Sequence, residues 1–122
     1  MPVGIDVIEI ERVERALERR PALAERVFSA AELAACRARP RPGRHLAARF
    51  AAKEAALKAL GLGGLRLHEV EVVGGGEDPP RLELSGSAAR AAERQGVELS
   101  VSLSHSRELA AAAVVAERRA LD

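Results

Sequence analysis

"RFAAKEAALKAL", residues 49–60, contains no proline or glycine and consists almost wholly of strong helix formers, so it reads as helix. At about 100° per residue, Leu46, Phe50, Leu57 and Leu60 fall on one narrow stripe. Lys53 lands inside that stripe, roughly 20° from Leu46, while Glu54 and Lys58 lie about 40° apart on its flank. A lysine on an apolar face calls for an anionic partner, because an unpaired buried charge is expensive.

The chain around this helix alternates between helical and extended patterns. Downstream, "GLGG" (61–64) ends the helix, with Gly61 suited to the left-handed position past its last turn. Upstream, "PRPG" (40–43) sets its start, predicting a helix over about 44–60. Before that, "SAAE" (29–32) has the Ser and Glu spacing of a capping box opening a helix toward Arg39. "PVGIDVIEI" (2–10) reads as a strand, and "EIERVERALERR" as a helix with Ile10, Val13 and Leu17 at helical spacing. Pro21 then precedes a further helical piece, "ALAERVF".

In the second half, "LRLHEVEVV" (65–73) and "RLELS" (81–85) flank the loop "GGGEDPP" (74–80) and predict a hairpin. "SAARAAERQG" (87–96) predicts a short helix ended by glycine. "VELSVSLSH" (97–105) alternates cleanly, with Val97, Leu99, Val101 and Leu103 inward. "LAAAAVVAE" (109–117) follows it after one short turn, which favours strand over helix despite the alanines. The expected fold is α+β: one domain over residues 1–122, with a largely antiparallel sheet packed against the long central helix.

Composition narrows the function classes. Of the 122 residues only two are Phe and none is Trp or Tyr, so aromatic burial cannot dominate the core. Assembly into an oligomer is one way to add buried area. The absence of stacking aromatics also disfavours nucleic acid as a partner. The single cysteine, Cys36, excludes an internal disulfide and a thiolate metal cluster. No apolar run reaches the length of a membrane span and no signal-peptide pattern opens the chain, so a cytoplasmic protein with no membrane partner is expected. Net charge is +1, yet residues 33–53 hold six basic side chains and no acid. That bias suits an anionic ligand, although an arginine preference on a solvated surface gives the same pattern, with only two lysines in the chain.

Each charged residue has a plain reading beside a chemical one. Asp6 is either a strand-edge aspartate that caps the next helix or a ligand for a hard cation. Glu54 is either half of an i,i+4 pair with Lys58 or a second ligand for that cation. Two carboxylates plus waters suit Mg²⁺, which commonly binds substrate phosphates as well. Arg49, Lys53 and Lys58 around such an ion suit a pyrophosphate, and the glycines of "GLGG" offer backbone amides to one. "SLSHS" (102–106) lacks a nucleophile-elbow pattern, so His105 reads better as an imidazole near a phosphate than as a hydrolase base. His45 and His68 read as isolated surface residues.

"GIDVIEIERV", "RFAAKEAALKALG" and "VSLSHS…AAAAVVAE", in this order and spacing, resemble the holo-[acyl-carrier-protein] synthases, the short branch of the 4′-phosphopantetheinyl transferases. The resemblance runs from Gly4 to Glu117. It implies that Asp6 and Glu54 bind Mg²⁺ and that Lys58 stabilises the pyrophosphate and the departing phosphate. Arg49, Lys53 and His105 are then contacts for coenzyme A, with Gly61 and Gly63 in the same cofactor-binding set. It further implies an acyl carrier protein as partner, whose acidic helix meets Arg12, Arg15 and Arg19, and a homotrimer with its sites at subunit interfaces. A non-catalytic module binding coenzyme A or the carrier, and a Mg²⁺-dependent pyrophosphate hydrolase, are the competing readings.

Overall fold

The computed structural model describes residues 2–64 and 66–120. In chain order the elements are strand β1 (Val3–Glu9), helices α1 (Ile10–Arg19), α2 (Pro21–Val27), α3 (Ala30–Arg37) and α4 (Pro42–Ala59), and a 3₁₀ turn (Leu67–Glu69). Strands β2 (Val70–Val73) and β3 (Arg81–Leu84), helix α5 (Gly86–Gln95), and strands β4 (Val97–His105) and β5 (Leu109–Arg118) follow. Among the described residues one antiparallel sheet has the order β1-β5-β4, and the hairpin β2-β3 forms a second.

Helix α4 is the centre of the molecule and packs against β1, β5 and β4. Its apolar stripe is widened by alanine: Ala47, Ala51, Ala52, Ala55 and Ala56 are all fully buried. They meet the inner face of β5, where Ala110, Ala112, Val114 and Ala116 are buried in alternation. Small side chains on both surfaces let backbones approach closely, which is how a chain with two phenylalanines still makes a tight core. The approach is closest at Gly4 on β1, where an added Cβ would lie 1.8 Å from the carbonyl oxygen of Ala55. That distance is far inside contact, so only glycine fits there. Flanking helix α1 adds a smaller apolar group, Ile10 and Val13 on Ala47 and Ala48.

Most elements match the expected pattern, and their local causes are visible. Ser29 and Glu32 form the reciprocal capping box that opens α3 (2.9 and 3.1 Å). α4 ends in a Schellman arrangement: the amide of Leu62 donates to the Leu57 carbonyl (2.8 Å) and that of Gly61 to Lys58 (3.0 Å). Gly61 has φ +72°, the left-handed conformation this ending requires. β5 is a strand because it lies between β1 and β4 and is hydrogen-bonded on both edges, which overrides its alanine propensity.

One expectation is only partly met. The segment expected as a long strand over 65–73 is extended only from Val70 to Val73, Leu65 lying outside the described residues. Before it, Leu67–Glu69 coils into a 3₁₀ turn that buries Leu67 and points the Glu69 carboxylate at the start of α5. There Glu69 accepts from the Ser87 amide (2.8 Å), taking the capping role that Ser85 leaves unfilled. The Ser87 hydroxyl also donates to Glu69, and this bond first, with the amide bond adding to it against the effect of burial, holds the Glu69 carboxyl below its usual range.

Candidate active site

Three of the expected residues meet where β1 crosses α4. Asp6 projects from the middle of β1, and Lys58 reaches it from the last turn of α4, its Nζ donating to Asp6 Oδ1 (3.1 Å) and to the Ile5 carbonyl (3.1 Å). Lys58 is thus paired across elements with Asp6. Half-buried Glu54, one turn earlier on α4, is held above the usual carboxylate range, first by burial and then by the charge of Asp6, with Lys58 opposing. Glu54, its proton affinity raised by burial and by the nearby Asp6 carboxylate, forms with Asp6 an anionic point suited to a cation. Asp6 and Glu54 border a cleft of about 460 Å³ whose walls include Val13, Phe28 and Phe50, with Arg12 at its edge. No group of three or more metal-ligating side chains occurs among the described residues. A hard cation here would take two protein carboxylates, leaving positions for water and substrate oxygens, as Mg²⁺ prefers.

A second cluster lies elsewhere on the same helix. Arg49 and His105, together with Arg39 and His45, line a cleft of about 340 Å³. Arg49 is 7% exposed, and its Nη2 donates to the Gly74 carbonyl (2.9 Å) at the hairpin loop. The Nε atoms of Arg49 and Arg44 are buried with no partner among the described residues. Arg49 lines the cationic cleft beside Arg39 and His105, and such a cleft suits an anion. Around α4, His45 and Arg49 are roughly 140° to 180° away from Glu54 and Lys58. The carboxylate cluster and the arginine cluster therefore face opposite ways on one chain.

Other expected residues fall differently. Lys53 does not face an anionic ligand: it is 1% exposed, and its Nζ donates to Glu32 Oε1 (2.7 Å) and to the Val70 carbonyl. The other Glu32 oxygen accepts from the Val72 amide (3.0 Å), so this internal pair ties α3, α4 and β2 together. Burial pushes the Lys53 ammonium below its usual pKa, and the Glu32 charge resists that shift. The helical wheel correctly demands an anion for Lys53, but the anion belongs to the chain itself. Gly61 does not offer its amide to a phosphate, because that amide closes α4, at the negative end of the helix dipole. Gly63 is exposed. Arg12, Arg15 and Arg19 are all exposed on α1, and Arg15 pairs with Glu11 (2.6 Å).

Two neighbours of the site were not anticipated. His45 is buried rather than on the surface, its ring edge-on to that of His105 with centroids 5.7 Å apart. Its position one helical turn before Arg49 was the available signal. Arg39 belongs to the basic run, but nothing distinguished it from the other arginines there. His68 is exposed, as expected.

Comparison with known proteins identifies the family of the chain. A family model described as the 4′-phosphopantetheinyl transferase superfamily matches residues 2–114, and the chain belongs to that family. It is 48% identical over 120 residues to a holo-[acyl-carrier-protein] synthase of Moorella thermoacetica, covering 96% of this chain and 94% of that protein. A holo-[acyl-carrier-protein] synthase of Salinispora arenicola is 50% identical over 118 residues, covering 95% and 97%. Among solved structures, the Helicobacter pylori holo-[acyl-carrier-protein] synthase in complex with coenzyme A superposes with a TM-score of 0.80 at 28% identity, over 94% of this chain and 99% of that one. No helix among the described residues is long and apolar enough to cross a membrane.

The internal pair generates a stability prediction. Lys53→Met leaves the buried Glu32 carboxylate without its cation and should destabilise the protein by about 3–5 kcal/mol. Adding Glu32→Gln should then cost far less than it does alone, since each partner's removal already breaks the pair. Urea unfolding of the two single variants and the double variant measures this, and strictly additive losses would show that the two charges are not coupled.

Proposed function

We propose that this chain is a 4′-phosphopantetheinyl transferase that moves the phosphopantetheine group of coenzyme A onto a serine of an apo acyl carrier protein. The observation that supports it best is the grouping of Asp6, Glu54 and Lys58 beside a cleft, on a chain whose relatives are holo-[acyl-carrier-protein] synthases. A non-catalytic module would need neither the paired carboxylates nor the lysine between them.

Asp6 and Glu54 would hold Mg²⁺, which when bound offsets the charge of the coenzyme A pyrophosphate. The serine oxygen of the carrier attacks the phosphorus that bears pantetheine, and its proton passes to a carboxylate of the pair, directly or through a water. The bond from that phosphorus to the bridging oxygen breaks, and adenosine 3′,5′-bisphosphate leaves with Lys58 facing its developing charge. Arg49 and His105, with Arg39 beside them, take the anionic nucleotide end of coenzyme A. Lys53 supports the site from within and has no ligand contact of its own. The carrier's acidic helix meets α1, with Arg12 at the edge of the cleft and Arg15 and Arg19 along the exposed side.

A homotrimer completes this reading. The outer face of the sheet is apolar and uncovered: Val3, Ile5 and Val7 are 60%, 63% and 58% exposed, and their β5 partners across the ladder are Val115, Ala113 and Ala111. Such a face suits burial against further copies. Because the carboxylate and arginine clusters face opposite ways around α4, a neighbouring copy is what can set one chain's arginines against another's carboxylates.

Incubated with apo acyl carrier protein, coenzyme A and Mg²⁺, the protein should add one phosphopantetheinyl mass to the carrier, read by intact-protein mass spectrometry. Chelator should abolish the gain, and Glu54→Gln should lower the rate at least about a hundredfold without unfolding the chain. Near wild-type turnover by that variant would remove Glu54 from the site. Charge reversal at Arg15 and Arg19 should raise the KM for the carrier more than that for coenzyme A, whereas equal effects would move carrier docking away from α1. Light scattering should give three times the chain mass, and Ile5→Glu should lower it; a wild-type monomer at micromolar concentration would sink the interface assignment.

A further inference from the structure

The cleft beside Arg49 contains two histidines, and only one of them is open to solvent. His105 is exposed at the end of β4, while His45 is 7% exposed on the first turns of α4, behind it. The two rings meet edge to face at 86°. The charged groups around His45 are all basic or imidazole: Arg39 past the end of α3, Arg44 and Arg49 on α4, and His105 on β4. No carboxylate lines the cleft among the described residues. Burial first, and then these neighbouring charges, hold the His45 imidazole below its ordinary pKa of 6.5. Arg49, whose buried Nε has no partner among the described residues, lines the cleft with Arg39, so the cleft has an excess of positive charge.

A phosphate monoester in that cleft reverses the balance. Its negative charges cancel the repulsion from the arginines, and a protonated imidazole then gains both an opposite charge and a second N–H donor. We propose that His45 is a further phosphate-binding residue, neutral while the cleft is empty and protonated when it is filled, so that binding of the nucleotide's phosphate takes up a proton. This rests on the reading of the cleft as the site for the anionic end of coenzyme A, and it adds a residue and a proton to that site. The sign follows from linkage. Where the filled form binds a proton that the empty form lacks, affinity falls as pH rises, and it levels off once both forms are neutral.

The phosphate itself loses its last proton near pH ~6, which acts on affinity in the opposite direction. The imidazole must therefore be read directly. The chain has three histidines, so NMR titration of the full-length protein can follow each ring, with His68→Gln and His45→Gln assigning the signals. Adenosine 3′,5′-bisphosphate is the probe. His45 should titrate below the usual histidine range in the free protein and at higher pH when the probe saturates the cleft. His45→Gln should bind the probe about fivefold more weakly near pH 6.5 and almost as well as wild type at pH 8.5, a split that mere loss of packing would not produce. If the probe binds saturably and the His45 midpoint stays where it was, the proposal is overturned, and the wild-type titration decides this even if the variant does not fold. If the probe does not bind wild type at any pH, the reading of the cleft as a nucleotide site fails, and the proposal fails with it.

Discussion

The site depends on how closely β1 can approach α4. At Gly4 the two backbones come so near that a single methyl group would occupy the space of the Ala55 carbonyl. Two residues along β1 from that contact is Asp6, and next to Ala55 on α4 is Glu54. The strand alternates faces, so Gly4 and Asp6 point the same way, toward the helix. Any side chain at Gly4 would lift the strand and withdraw Asp6 from both Glu54 and Lys58. The alanines of α4 and β5 extend the same logic over the whole helix. An individual alanine contributes little transfer energy, but a small-on-small surface sets elements at a fixed, short distance. A core of leucine and phenylalanine would have buried more area and placed the carboxylates further apart.

A helix buried on most of its surface must account for its own charges. α4 does so in three ways around its circumference. Lys53 turns inward and is neutralised by Glu32, which also caps α3 and receives the Val72 amide, so one carboxylate organises three elements. Such pairs seldom stabilise more than an apolar replacement would, but they do specify where their elements sit. Arg49 turns toward the hairpin loop and holds the Gly74 carbonyl, which leaves its Nε free. Glu54 and Lys58 turn toward β1, where Asp6 supplies both an attraction and a repulsion. The inward charge is wholly enclosed within the chain, whereas Arg49 keeps a guanidinium Nε without a partner among the described residues and Glu54 and Lys58 stay open to solvent. That difference separates the residues that build the site's walls from those that have chemistry left to perform.

Much of this was legible in the sequence because it depends on local signals. The capping box at Ser29 and Glu32, the glycine at the end of α4 and the alternation of β4 each follow from neighbouring residues alone. Asp6, Glu54 and Lys58 could be singled out because a charge in a strand or beside an apolar stripe conflicts with its surroundings. Partners across the fold were not legible. The wheel put Lys53 among apolar residues, but nothing local distinguished Glu32 from a ligand as the anion it needs. His45 looked isolated because its companion, His105, is brought to it only by the packing of β4 on α4. The 3₁₀ turn at Leu67–Glu69 escaped for the same reason, since Glu69 finds its partner at the start of α5.

The same circumference is what motivates the proposed assembly. A helix turns through a full circle every 3.6 residues, so residues five and nine apart, such as Arg49 with Glu54 and with Lys58, are driven to opposite sides. No side-chain rotamer can bring a group around to the far side of a helix that is buried on most of its surface. On the proposed reading, a ligand that contacts both clusters needs a second surface, and the uncovered Val3, Ile5 and Val7 of β1 are where one would attach. Because those residues lie on the strand that also contributes Asp6, the proposed assembly and the proposed cation site share a single element. A shift of β1 that weakened the interface would displace the carboxylate as well.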